Sequence, residues 1–165
     1  MMENFRLPRY KEIPNVGLFL EQVTKYLNEY LEPLQDNVVT STMISNYVKK
    51  DLLKRPYRKQ YDREQIATLL FICVVKNATS LENVRTLLEI LRQAEDSETI
   101  YDVFCEEFEN IIEAMHNDEN GINPLRAQEP TIKTLLHNVL LTVANKAYLE
   151  MCFTNIKRET QQMHN

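Results

Sequence analysis

Only two glycines, Gly17 and Gly121, occur in 165 residues. Glycine supplies the left-handed backbone of tight turns, and an all-β chain of this length needs many such turns. The scarcity points to helices joined by few connections. The apolar spacing agrees. After Gly17, Leu18, Leu20, Val23, Tyr26, Leu27, Tyr30 and Leu31 recur at helical intervals until Pro33. Thr40 or Ser41 then offers a hydroxyl to cap a helix over about 41–53, with Ile44, Tyr47, Val48 and Leu52 on one side. Asp62 caps a helix over about 63–78 whose run Leu69-Leu70-Phe71-Ile72-Cys73-Val74-Val75 is apolar all round, as in a central buried helix. Thr79 or Ser80 with Glu82 opens a further helix to about 93, burying Leu81, Val84, Leu87, Leu88 and Leu91. A polar stretch at 94–99 marks a boundary. A helix over about 98–116 follows, then a loop with Gly121 and Pro124, then one long helix over about 131–157.

Apolar residues at 44% and charged residues at 26% suit a globular fold rather than a disordered one. No apolar run approaches the roughly 20 residues that span a bilayer. The first fourteen residues are polar and proline-punctuated, reading as an irregular lead-in without a signal-peptide core. A cytoplasmic protein with no membrane partner is expected. Cys73, Cys105 and Cys152 are odd in number and far apart, so they read as buried reduced thiols rather than metal ligands.

The net charge of −5 speaks against nucleic acid, but its distribution does not. Between Asn46 and Arg63 stand Lys49, Lys50, Lys54, Arg55, Arg58, Lys59 and Arg63 against Asp51 and Asp62. That stretch is +5, so the remainder of the chain carries −10. Such asymmetry indicates a phosphate-facing surface. Lys54 to Tyr61 holds Pro56, which removes a donor and disfavours helix in the residue before it, so this basic segment leaves the helix.

The segment 40–88 thus contains a capped helix with Tyr47 in its second half and Leu52-Leu53 at its end. A basic segment with Pro56 closes on Tyr61-Asp62; an apolar helix runs through Ile66 to Val75, and Ser80-Leu81-Glu82-Asn83-Val84 opens the next. In this order the segment resembles the MerR DNA-binding head, a winged helix-turn-helix. The upstream stretch LPRYKEIPNVGLFLEQVTKYL, with TMISNYVKK, is also similar to an uncharacterised bacterial family, domain-of-unknown-function family eighteen thirty-six. The MerR resemblance implies a short helix in the major groove and flanking bases on phosphates. By position, Thr42, Ser45, Asn46 and Lys49 face the groove, and asparagine suits bidentate pairing with adenine. Lys50, Lys54, Arg55, Arg58 and Lys59 contact phosphates, Tyr57 stacks or bonds to the backbone, and Tyr61 anchors the wing. Typical MerR heads carry arginines where this chain has Thr42 and Ser45, which shifts the weight from base to backbone contacts.

Other polar patterns read as structural. Asp102, Glu106, Glu109 and Glu113 line one face of a helix whose other face is Phe104, Phe108, Ile111, Ile112 and Met115, an ordinary amphipathic helix with a solvated acidic side. Glu113 and His116 form one Glu-x-x-His pair where a di-iron bundle needs two. His137 sits in an apolar helix and reads as a core histidine. No phosphate loop or Gly-x-Gly-x-x-Gly motif occurs.

The expectation is an all-α chain: residues 1–93 form an N-terminal helix plus the MerR-like head, and 94–165 form a C-terminal helical unit with one long helix. The function expected is binding of double-stranded DNA by a transcriptional regulator, without enzymatic activity or cofactor. A homodimer would place one head on each half-site. The long helix offers a docking stripe, Ile132, Leu136, Val139, Val143, Ala147 and Met151. A partner-facing stripe of Leu135, Leu140, Ala144, Tyr148 and Cys152 lies beside it. The alternative is a helical protein–protein interaction module that retains the winged helix as a relic.

Overall fold

The computed structural model describes residues 5–34, 38–117 and 131–163, with backbone alone at 115–117 and at several positions from 149 onward. It is mostly helical. In chain order the elements are β1 (Leu18–Phe19), α1 (Leu20–Leu31), α2 (Ser41–Lys49), β2 (Gln60–Tyr61), α3 (Arg63–Val75), α4 (Leu81–Ala94), α5 (Ser97–Asn117) and α6 (Ile132–Met163). Short 3-10 turns lie at Tyr10–Glu12 and Glu32–Leu34. The expected loop holding Gly121 and Pro124 lies outside the described residues, as do the side chains of Met115, His116 and Cys152.

Caps set the helix starts as the sequence predicts. The Thr40 hydroxyl accepts from the Met43 N–H at 3.2 Å, and Ser80 does the same for Asn83 at 3.2 Å. Asp62 and Gln65 cap each other's N–H groups at 2.8 Å, a reciprocal arrangement that satisfies two otherwise orphaned donors. Every residue of α3 from Gln65 to Val75 is buried. This helix is the axis of the fold, with α1, α5 and α6 packed against it. One apolar cluster runs from Phe5 to Ala147. In it Phe71 meets Phe104 edge-on at 5.0 Å between ring centres.

The irregular lead-in packs onto the fold: Phe5, Leu7 and Ile13 are buried, and Phe5 packs edge-on against Phe108 of α5 at 5.6 Å. One expectation needs correction. On α6, the apolar spacing places Leu140 and Ala144 toward a partner, yet both are fully buried within the chain. The buried arc of this helix, from Leu136 through Leu140, Leu141 and Ala144 to Ala147, is wider than one stripe. The exposed apolar residues Ile132, Leu135 and Tyr148 lie outside that arc.

Candidate nucleic-acid interface

The site begins with how α2 is fixed to α1. Asn28 of α1 donates to the Val39 carbonyl at 2.9 Å and accepts from the Val39 N–H at 2.8 Å. One side chain thus holds the chain entering α2 as a neighbouring strand would. The Thr24 and Ser41 hydroxyls also meet at 3.1 Å. Ile44 and Tyr47 point into the core, while Thr42, Lys49 and Lys50 are exposed and Ser45 and Asn46 half-buried. The side chains of Thr42, Ser45 and Asn46 make no hydrogen bond among the described residues, which leaves their donors and acceptors to solvent.

The helix ends at Lys49, one turn earlier than the sequence predicts. Asp51 adopts a left-handed conformation at φ 56°. Its N–H bonds to the Val48 carbonyl at 3.1 Å, and that of Leu52 to the Tyr47 carbonyl at 3.0 Å. This is a Schellman stop, with the buried pair Tyr47 and Leu52 closing it and aspartate where glycine is usual. Arg85 of α4, which no sequence pattern singles out, donates to the Lys50 carbonyl at the same helix end. Its place in the sequence, on the solvent face of α4, gives no hint of that contact.

From there the chain runs into a basic hairpin turn. Gln65, buried in α3, donates to the Lys54 carbonyl at 3.0 Å and so pins the rising limb. A two-residue turn follows, closed by the Gln60 N–H to the Tyr57 carbonyl at 2.9 Å. Both central residues are left-handed, Arg58 at φ 49° and Lys59 at φ 65°. That is the backbone of a type I′ hairpin turn, which favours Asn-Gly. For residues with a Cβ it costs roughly 1–2 kcal/mol each. The descending limb pairs with β1, Leu18 opposite Tyr61 and Phe19 opposite Gln60. Gly17 permits this approach, because a Cβ there would lie 2.8 Å from the Cβ of Gln60. Tyr61 is buried as expected, and burial raises its phenol above the usual range.

Lys49, Lys50, Lys54, Arg55, Arg58 and Lys59 are all exposed along α2's end and the hairpin segment that follows it. Among the described residues none of the six has a carboxylate within ion-pair distance. The Arg58 guanidinium instead lies 5.1 Å from the centre of the Tyr57 ring, itself 74% exposed. The seventh base behaves differently. Arg63 donates to the Ile13 carbonyl at 2.9 Å and stacks over Tyr10 at 5.8 Å, so it serves the fold.

Residues 8–104, which contain this arrangement, match the family described as Domain of unknown function (DUF1836). The chain belongs to that family. No curated protein and no solved structure matches it. The DUF1836 segment holds both strands, α1 to α4 and the beginning of α5; the rest of α5 and all of α6 follow it. All six exposed bases therefore lie inside it.

The acidic side of α5 is not simply solvated. Glu109 receives both guanidinium arms of Arg9, at 2.8 and 2.6 Å, and the Leu7 N–H at 2.8 Å. The bond to Glu109 holds Arg9 above even the usual guanidinium range. Asp102 accepts from the Tyr10 N–H at 2.7 Å. These carboxylates clasp the lead-in to α5, while Glu106 and Glu113 face solvent. His137 is half-exposed rather than in the core, and its Nδ1 meets Glu107 across α5 and α6. Cys73 and Cys105 are buried and unpaired, and burial pushes both thiols up to about 12. Among the described residues no group of three or more His, Cys, Asp or Glu side chains stands where it could hold a metal. No helix among them is long and apolar enough to cross a membrane.

Proposed function

We propose that this chain binds double-stranded DNA through a MerR-like winged helix and acts as a transcriptional regulator. The observation that carries the reading is the basic face: six exposed cations on the end of α2 and the hairpin segment, none of them in an ion pair among the described residues and with Asp51 alone as an acid in their midst. In an acidic chain, intramolecular partners for such cations abound, and their separation from them favours an external polyanion. The packing of α1 against α2, followed by a hairpin turn, supports the winged-helix form.

In this reading α2 lies in the major groove. Thr42, Ser45, Asn46 and Lys49 face base edges, with Asn46 suited to adenine. Lys50, Lys54, Arg55, Arg58, Lys59 and the added Arg85 contact phosphates. Short side chains at Thr42 and Ser45 leave affinity to the phosphate contacts, so binding falls steeply with salt. The reading includes a cytoplasmic homodimer with one head per half-site, for which the exposed Ile132 and Leu135 of α6 and Val103 of α5 offer apolar surface. It involves neither catalysis nor a cofactor.

Fluorescence anisotropy on duplex DNA across a salt series tests it. Replacing Lys49, Lys50, Arg55 and Lys59 together by alanine makes the slope of log K against log salt shallower by about 0.9 for each phosphate left unneutralised. An unchanged slope in a folded variant overturns the assignment of this face. A folded wild type that binds no duplex turns the choice to the protein–protein interaction module, for which the acidic exterior and the same apolar residues would serve.

A further inference from the structure

We propose that the wing tip reads DNA shape: Arg58 enters the minor groove beside the α2 footprint and selects duplexes with narrow minor grooves, those rich in consecutive A·T pairs. This rests on the DNA-binding reading above and adds the class of duplex and the residue that selects it.

The residue choice at the turn runs against its backbone. The two central positions are left-handed, at φ 49° and 65°, and that geometry favours asparagine and glycine. The chain places arginine and lysine there instead. Strained positions of this kind persist where function requires the side chain, and what these two side chains share is positive charge. The tip is also narrow and firmly held. It consists of two residues, closed by the 2.9 Å bond from Gln60 to Tyr57. One limb is pinned by Gln65 at the Lys54 carbonyl and the other is paired with β1. A side chain on such a tip projects from a fixed base, unlike one on a long loop.

The third observation concerns Arg58 itself. Its guanidinium rests on the exposed ring of Tyr57 at 5.1 Å, so a planar cation is held on an aromatic support. The minor groove of B-form DNA is about 6 Å wide, too narrow for a helix but open to a guanidinium. Runs of A·T narrow it further and deepen its negative potential, which attracts inserted arginine. Arginine suits that position better than lysine because its delocalised charge is more weakly hydrated. A helix lodged in the major groove leaves the adjoining minor groove to whatever flanks it, and here the wing follows α2 directly.

The test uses the full chain and three duplexes of equal length: one with A·T runs, one with G·C pairs there, and one with inosine·cytosine pairs there. Inosine·cytosine resembles A·T in the minor groove and G·C in the major groove. The wild type is expected to favour the A·T and inosine duplexes over the G·C duplex by about tenfold. Arg58→Lys, which keeps the charge, lowers that ratio to about twofold or less. Arg58→Asn with Lys59→Gly installs the favoured turn, so it melts higher than wild type, yet it binds every duplex more weakly and loses the preference. A wild-type preference that follows A·T but not inosine reports major-groove reading and overturns the inference. So does equal binding to all three duplexes, or a preference that survives in the double variant. Binding to no duplex overturns the DNA-binding reading and this inference together, whereas equal binding removes the inference alone.

Discussion

Asp51 ends α2 in a conformation that suits glycine, and its replacement separates backbone from charge. At φ 56° a residue with a Cβ carries roughly 1–2 kcal/mol of steric cost. Glycine removes that cost but forfeits roughly 0.5–1 kcal/mol through its freer unfolded chain. Asp51→Gly is therefore expected to stabilise the fold by about 0.5–1 kcal/mol, a rise of about 1–4 °C in Tm for a chain of this size. Asp51→Ala keeps the strain and gains nothing. Both substitutions remove a carboxylate from the midst of Lys49, Lys50, Lys54 and Arg55. At about 7 Å in water, one unit charge is worth about 0.6 kcal/mol to a bound phosphate, so both variants should bind duplex DNA about two- to threefold more tightly at low salt. Thermal melts by circular dichroism give the first quantity and anisotropy the second. Should alanine stabilise as much as glycine, the left-handed backbone is not what aspartate costs the fold, and the account of the helix stop fails.

Gln65→Leu leaves the Asp62 N–H and the Lys54 carbonyl without their partner, and is expected to cost about 2–4 kcal/mol. Urea unfolding measures it, and a loss below about 0.5 kcal/mol, less than a single net hydrogen bond contributes, would refute the pin. Glu109→Ala removes the acceptor of Arg9 and of the Leu7 N–H, with an expected loss of about 1–3 kcal/mol. Amide exchange should quicken at Leu7 and Tyr10, and unaltered protection there would show that the apolar contacts suffice. The raised thiols leave only about one molecule in ten thousand ionised at pH 8 for Cys73 and Cys105. Iodoacetamide should leave both unmodified in the native protein, as mapped by mass spectrometry; the thiolate appears only as pH rises toward about 12, so labelling at pH 8 without unfolding contradicts their burial.

Helix positions are legible in this sequence because they depend on local signals. The apolar spacing of α1, α3 and α4 and the caps at Thr40, Asp62 and Ser80 act within a turn or two of chain. The end of α2 escapes because its stop uses aspartate where pattern reading looks for glycine, and Lys50 to Leu53 continues the helical spacing. The roles of Asp102 and Glu109 escape for another reason: a carboxylate that binds a segment about 100 residues away leaves no local trace. Leu140 and Ala144 show the same limit, since apolar spacing tells that a face is covered but not by what. At the candidate site the basic residues are legible as composition. Their freedom from carboxylates, the help of Arg85 and the strained turn are properties of the folded chain.

The pairing of β1 with β2 makes the basic hairpin segment late in the life of the chain. Leu18 and Phe19 emerge from the ribosome about 40 residues before Tyr61 and Gln60, their partners. At about 5–20 residues per second that interval lasts seconds, whereas a helix winds in about a microsecond, so α1 and α2 can form before β2 is there to pair with β1. A fragment beginning at Thr40 would carry every residue of the MerR-like pattern and still lack Gly17, β1, Asn28 and the carbonyl that Arg63 holds at Ile13. Such a fragment would keep its charge and lose the shape that presents it.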